Sequence, residues 1–225
     1  MLNKRLVSMV VGLCMSGVST AAFAWGMPSI GGGSSGGTSP AQAMALQSKI
    51  LGEYLLGEKS VLEAQSHYAT AYGDKRAAAK VNAVIKTIGS GATVSKKNLQ
   101  TATRTSRSVN KRLRSYMAHK TLVTAASRKQ FLEGTAFYAG GVLALTKVVP
   151  QLKNFMTSAQ GAIRGASFTQ ALSVKHKLAT GMYLAESTPP YVGGLVKTSK
   201  DLVSYAHKNN IRLPASATSA LGNLS

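Results

Sequence analysis

Residues 95–117 read SKKNLQTATRTSRSVNKRLRSYM, and two kinds of side chain in this stretch separate cleanly. With Lys97 at zero and a turn of about 100° per residue, Lys97, Arg104, Arg107, Lys111 and Arg114 fall between about 260° and 360°. On the same wheel Leu99, Ala102, Val109, Leu113, Tyr116 and Met117 fall between about 100° and 200°. That is the period of an α-helix with a cationic stripe on one side and a core stripe on the other. Ser95 is placed to cap it, since its hydroxyl can take a free amide of the first turn. The cationic stripe runs roughly 26 Å at about 1.5 Å per residue. Such a length suits a polymer or a surface better than one small ligand.

The stripe lies inside a longer basic region. Residues 75–132 carry fourteen Lys or Arg and no Asp or Glu, in a chain of net charge +20 with 7 acids in all. If every acid folded back onto this region, 14 − 7 = 7 cations would still lack a protein partner. An anion from outside the chain is the expected counterpart.

On the N-terminal side, a helix is expected from the Ser39-Pro40 cap to about Tyr72, with Ile50, Leu51, Tyr54, Leu55, Val61, Leu62 and Tyr68 on its apolar side. Glu53, Glu58 and Glu63 make it the one acidic-leaning piece. Gly73 ends it. A shorter helix over residues 74–88 places Ala77, Val81, Val84, Ile85 and Ile88 at helical spacing, and Gly89-Ser90-Gly91 breaks it.

On the C-terminal side, the basic helix is expected to kink or end near Lys120. Residues 121–149 then read as a helix apolar nearly all round, which belongs in the middle of a bundle. Pro150 is expected to open or kink the next helix, and residues 167–185 form another. Ser187-Thr188-Pro189-Pro190 predicts an irregular turn, because two prolines remove two helix donors. Residues 194–209 give a last amphipathic helix, and residues 211–225 read as a loose tail. The fold class is therefore all-α: an irregular bundle of about five to seven helices in a single domain over residues 41–210. With few aromatics and many alanines and glycines, its core should be helix on helix at close approach.

The first 24 residues have the form of a secretory signal peptide. Lys4 and Arg5 precede the apolar run 6–18, and Ala22-Phe23-Ala24 supplies the small-x-small site. Cys14, the single cysteine, falls inside it, so no disulfide is expected, and the expected location is periplasmic or secreted. Residues 25–40 form a Gly/Ser-rich leader. It matches the glycine spacings of dinucleotide-binding and nucleophile-elbow sequences, but neither match sits between a strand and a helix, as both chemistries require. No window reaches the length of a membrane span; the nearest, residues 135–149, is interrupted by Lys147 and ended by Pro150.

Catalysis is not expected. The seven acids are scattered, and His67, His119, His176 and His207 lie far apart with no other ligand at metal-binding spacing. No cofactor or metal is implied. The expected function is binding of an anionic envelope component or other polyanion through Lys97, Arg104, Arg107, Lys111 and Arg114. Anionic lipid, lipopolysaccharide phosphates and acidic polysaccharide are the candidate ligands. Nucleic acid is less favoured, because the stripe has no interleaved aromatics. The alternative is a non-catalytic structural or adaptor subunit of a bacterial envelope assembly, with an acidic protein partner on the basic face.

Overall fold

The computed structural model describes residues 38–89, 94–222 and 224. The signal peptide and nearly all of the Gly/Ser-rich leader expected from the sequence lie outside them. Among the described residues the secondary structure is α-helical, in six helices: α1 (Pro40–Ala71), α2 (Lys75–Gly89), α3 (Lys96–His119), α4 (Ala125–Arg164), α5 (Phe168–Lys208) and α6 (Ala215–Gly222). None of them is long and apolar enough to cross a membrane.

Local chemistry sets most of the ends. Ser39 and Gln42 form a reciprocal capping box that spans Pro40, whose missing amide at the first helical position costs nothing. Gly73 takes φ +75°, and the Asp74 and Gly73 amides close on the carbonyls of Ala69 and Thr70, which stops α1 in a left-handed cap. Ser95 caps α3 through the Asn98 amide at 3.2 Å. Lys120 adopts an extended conformation and ends that helix, and Thr124 caps α4 through Ser127.

The centre of the bundle is α1, which packs against α2, α3, α4 and α5. The apolar stretch 121–149 is expected there, yet α4, which holds most of it, packs against α1, α5 and α6 and leaves Phe137, Gly140 and Lys147 outward. Small residues give α1 the advantage. A Cβ at Gly141 of α4 would meet the Gly57 carbonyl and the Val61 amide of α1 at 2.9 Å, so the two backbones touch with nothing between them.

Three features of the C-terminal half differ from the sequence reading. Pro150 lies inside α4, and Pro189 and Pro190 lie inside α5, so no new helix opens at Pro150 and the expected irregular turn is continuous helix instead. All three prolines are exposed, while Val148 and Leu152 flank the first, and Thr188, Tyr191 and Val192 flank the pair, as buried residues. Carbonyls freed by the missing donors can reach water, and burial of the opposite face outweighs a cost of about 3 kcal/mol per proline. Part of the stretch read as a loose tail is also ordered. Asn210 at φ 52° turns the chain, and Ala217 and Leu221 of α6 then pack on Ala139 of α4.

Candidate functional site: the outward face of α3

The five cations singled out by the wheel, Lys97, Arg104, Arg107, Lys111 and Arg114, are all exposed along α3. Facing inward are Leu99, Ala102, Val109 and Leu113, all buried, with Tyr116 and Met117 half-buried. Glu53, Glu58 and Glu63, the acid-rich run of α1, form no ion pair with the stripe among the described residues. Glu53 accepts from Gln151, Glu63 pairs with Lys59, and Glu58 is buried. Among the described residues Arg114 alone of the five has a carboxylate partner, Asp201 at 2.7 Å.

Asp74 takes a different cation of the basic region. Its carboxylate sits 2.9 Å from Arg112, accepts from the Tyr116 hydroxyl at 2.6 Å and from the Ala77 amide at 3.0 Å, and so opens α2. Burial pushes this carboxyl up, but the Tyr116 hydroxyl, the Ala77 amide and the Arg112 and Lys120 charges together hold it below the usual carboxylate range.

Two of the stripe cations are held by α5, which runs alongside α3. The Arg107 guanidinium donates to the Ser187 carbonyl at 3.2 Å, just before the proline pair, and lies 5.6 Å from the centre of the Tyr191 ring. Arg114 is fixed by Asp201. Between them a groove of about 270 Å³ is lined by Arg107, Lys111, Arg114, Asn110, Tyr191 and Thr198. Lys96, which the wheel places at about 260° but the sequence reading omitted, stands 5.7 Å from the Tyr183 ring and extends the row by one. Of the distant cations that could widen the patch, Lys153 and Arg164 sit on α4, which meets α3 through the buried Tyr138–Asn110 contact rather than along its outward face.

Beneath the stripe lies a buried polar layer that periodicity does not mark. Gln65 donates to the Ser106 hydroxyl at 2.7 Å and to Asn110 at 3.0 Å, and Tyr138 donates to Asn110 at 3.4 Å. Tyr54 meets Thr103 at 3.0 Å, and Ser106 meets Tyr191 at 2.6 Å. Polar atoms at buried positions are stable when paired in this way. Pairing is incomplete at the Gln65 side-chain oxygen and at Glu58, which is fully buried with neither carboxyl oxygen hydrogen-bonded among the described residues. Burial pushes its pKa up to about 7, against the opposing pull of the Tyr191 hydroxyl, the Arg107 charge and the Tyr54 hydroxyl. Those hydroxyls are engaged with Ser106 and Thr103.

The histidines stay apart. His67 bonds Gln130 at 2.8 Å beside Glu133, and His119 bonds the Ser115 carbonyl. Among the described residues no three His, Cys, Asp or Glu gather to hold a metal. No protein-family model, curated protein or solved structure matches the chain.

Proposed function

We propose that this is an exported, non-catalytic, strongly basic helical protein that binds an anionic envelope component through the outward face of α3. Anionic lipid, lipopolysaccharide phosphate and acidic polysaccharide fit that chemistry. The observation that carries the reading is the exposure of all five stripe cations with a single carboxylate partner among them. Each Lys or Arg close to an anionic surface is worth up to about 1 kcal/mol, so five give roughly 5 kcal/mol before salt and side-chain entropy reduce it. Arg107 and Arg114 enter already fixed by α5, which lowers the ordering cost.

The test is co-sedimentation of the chain with vesicles containing phosphatidylglycerol across a salt series. Affinity should fall steadily as salt rises. A chain that ignores such vesicles, lipopolysaccharide and acidic polysaccharide even at low ionic strength removes the proposal.

A second reading, an adaptor subunit of an envelope assembly, draws support from an apolar groove. This space of about 570 Å³ between α5 and α6 is lined in part by Val203, Leu213, Leu221 and Leu224. Capture of a defined acidic partner from the envelope, lost on charge reversal of α3, would favour it.

A further inference from the structure

The turn from α4 to α5 ends in apolar side chains that nothing covers among the described residues. Phe168, the first residue of α5, is 96% exposed, and Leu172, one turn on, is 76% exposed. At about 100° per residue these two and Lys175 lie within about 60° of one another. Val174, Leu178 and Gly181, by which this end of α5 is buried, are centred about 120° round the helix from them. Isolated exposed apolar residues are ordinary, but a phenylalanine and a leucine paired at the end of a hairpin are not scattered.

The surroundings carry one sign of charge. Arg164, the last residue of α4, and Lys175 and Lys177 of α5 are exposed, and residues 134–185 contain no Asp or Glu. A second copy of the chain docking tip to tip would bring these cations face to face. An anionic bilayer satisfies both halves of the surface at once: acyl chains take the ring and the leucine, and headgroup phosphates take the cations. The α5 N-terminus adds its own amides, since Ser167 makes no side-chain cap there.

We propose that the α4–α5 tip is a membrane-insertion site for anionic lipid, with Phe168 and Leu172 in the acyl boundary and Arg164 and Lys175 at the phosphates. The proposal goes beyond the α3 reading, because it uses other residues and apolar insertion, and either can fail alone.

The experiment uses the full chain with phosphatidylglycerol vesicles, phosphatidylcholine vesicles as the control, and three variants. In Phe168→Trp, the emission added over wild type should shift to the blue on anionic vesicles and be quenched by brominated acyl chains. Phe168→Ser with Leu172→Ser should lower affinity for anionic vesicles tenfold or more, with unchanged helical circular dichroism. Lys97→Gln, Arg104→Gln and Lys111→Gln together report on α3 separately. Sedimentation with no change in the added emission overturns the tip and leaves α3 standing. Insertion that is indifferent to the triple glutamine variant keeps the tip and removes α3. A wild-type chain that dimerises without lipid, and loses dimers in the serine variant, assigns the patch to self-association and overturns the proposal. Equal binding to both kinds of vesicle overturns its anionic part, and no binding to either removes the tip altogether.

Discussion

The seam between α1 and α4 and the seam between α3 and α5 are built on opposite principles. In the first, glycines at 134 and 141 let backbone rest on backbone, a Cβ at Gly134 meeting the Ala64 carbonyl at 3.0 Å, while Gly57 makes room for the Leu145 side chain, 2.9 Å from where its Cβ would sit. In the second, side chains meet through heteroatoms, with Arg107 on the Ser187 carbonyl, Ser106 on Tyr191 and Arg114 on Asp201. Backbone contact leaves no rotamer to adjust, so the first seam has one geometry. Polar contact leaves donors on the outer side of α3 free to meet something else. The first seam therefore carries the fold, and the second presents the cations.

The largest effect should come from filling the first seam. Gly141→Ala puts a methyl against the Gly57 carbonyl and the Val61 amide, and we expect a loss of about 3 kcal/mol in urea denaturation. The adjacent Gly140 is the control: a Cβ there meets nothing within 4 Å, so Gly140→Ala should stabilise by up to about 1 kcal/mol through helix propensity. Similar losses at both positions would show that helix packing, rather than these particular backbone contacts, sets the geometry.

Glu58 gives an effect of similar size and opposite sign, confined to a pH window. With its folded pKa raised from 4.5 to about 7, the native state holds the proton more tightly than the unfolded chain does. The contribution of Glu58 to stability should then be most favourable below about pH 4.5 and fall as pH rises to about 7, reaching a deficit of roughly 3 kcal/mol. Glu58→Gln should remove that deficit, stabilising the protein at pH 8 and changing little at pH 4.5. Parallel pH-stability curves for the two proteins would mean that the carboxyl is hydrated. Binding offers a second readout: a protonated Glu58 leaves Arg107 with less opposing charge, so affinity for anions should rise as pH falls from 8 to 6.

How much of this was readable beforehand depends on which atoms decide each feature. The outward face of α3 was legible because five charges and six apolar residues repeat at one period, and helix geometry alone turns that into two sides. The caps at Ser39 and Ser95 and the stop at Gly73 were legible because the deciding contacts are local. The continuity of α4 through Pro150 and of α5 through Pro189-Pro190 was not, because it rests on burial of Val148, Leu152, Tyr191 and Val192 against other helices. The polar layer under α3 was hidden for a related reason. Thr103, Ser106 and Asn110 look like solvent-facing residues until Gln65, Tyr138 and Tyr191 arrive from three different helices. The signals available were their positions on the wheel, at about 180° to 240°, inside or beside the core stripe.

Asp74 tests whether the basic region depends on its own acids for folding. Asp74→Ala removes the amide cap of α2, the Tyr116 bond and the Arg112 pair together, and should cost about 2 kcal/mol at neutral pH. Its carboxyl titrates below the usual range, so the contribution is present above the unfolded pKa and lost as pH falls through the lowered folded value. Wild type and variant should therefore converge in acid.

The smallest expected change is the most informative about the second seam. Lys97, Arg104 and Lys111 are exposed, and no ion pair holds any of them among the described residues. Changing all three to Gln should leave the urea midpoint within about 0.5 kcal/mol of wild type. It could even raise the midpoint slightly, since it removes like charges spaced four and seven residues apart on one helix. The same change removes three of five stripe charges, so vesicle affinity should drop by about two decades if each contributes near its limit of about 1 kcal/mol. Stability unchanged with binding lost is the signature of cations kept for a partner outside the chain. A matching loss of stability would mean that α3 needs these charges to pack, and the contrast between a seam that carries the fold and one that presents the cations would collapse.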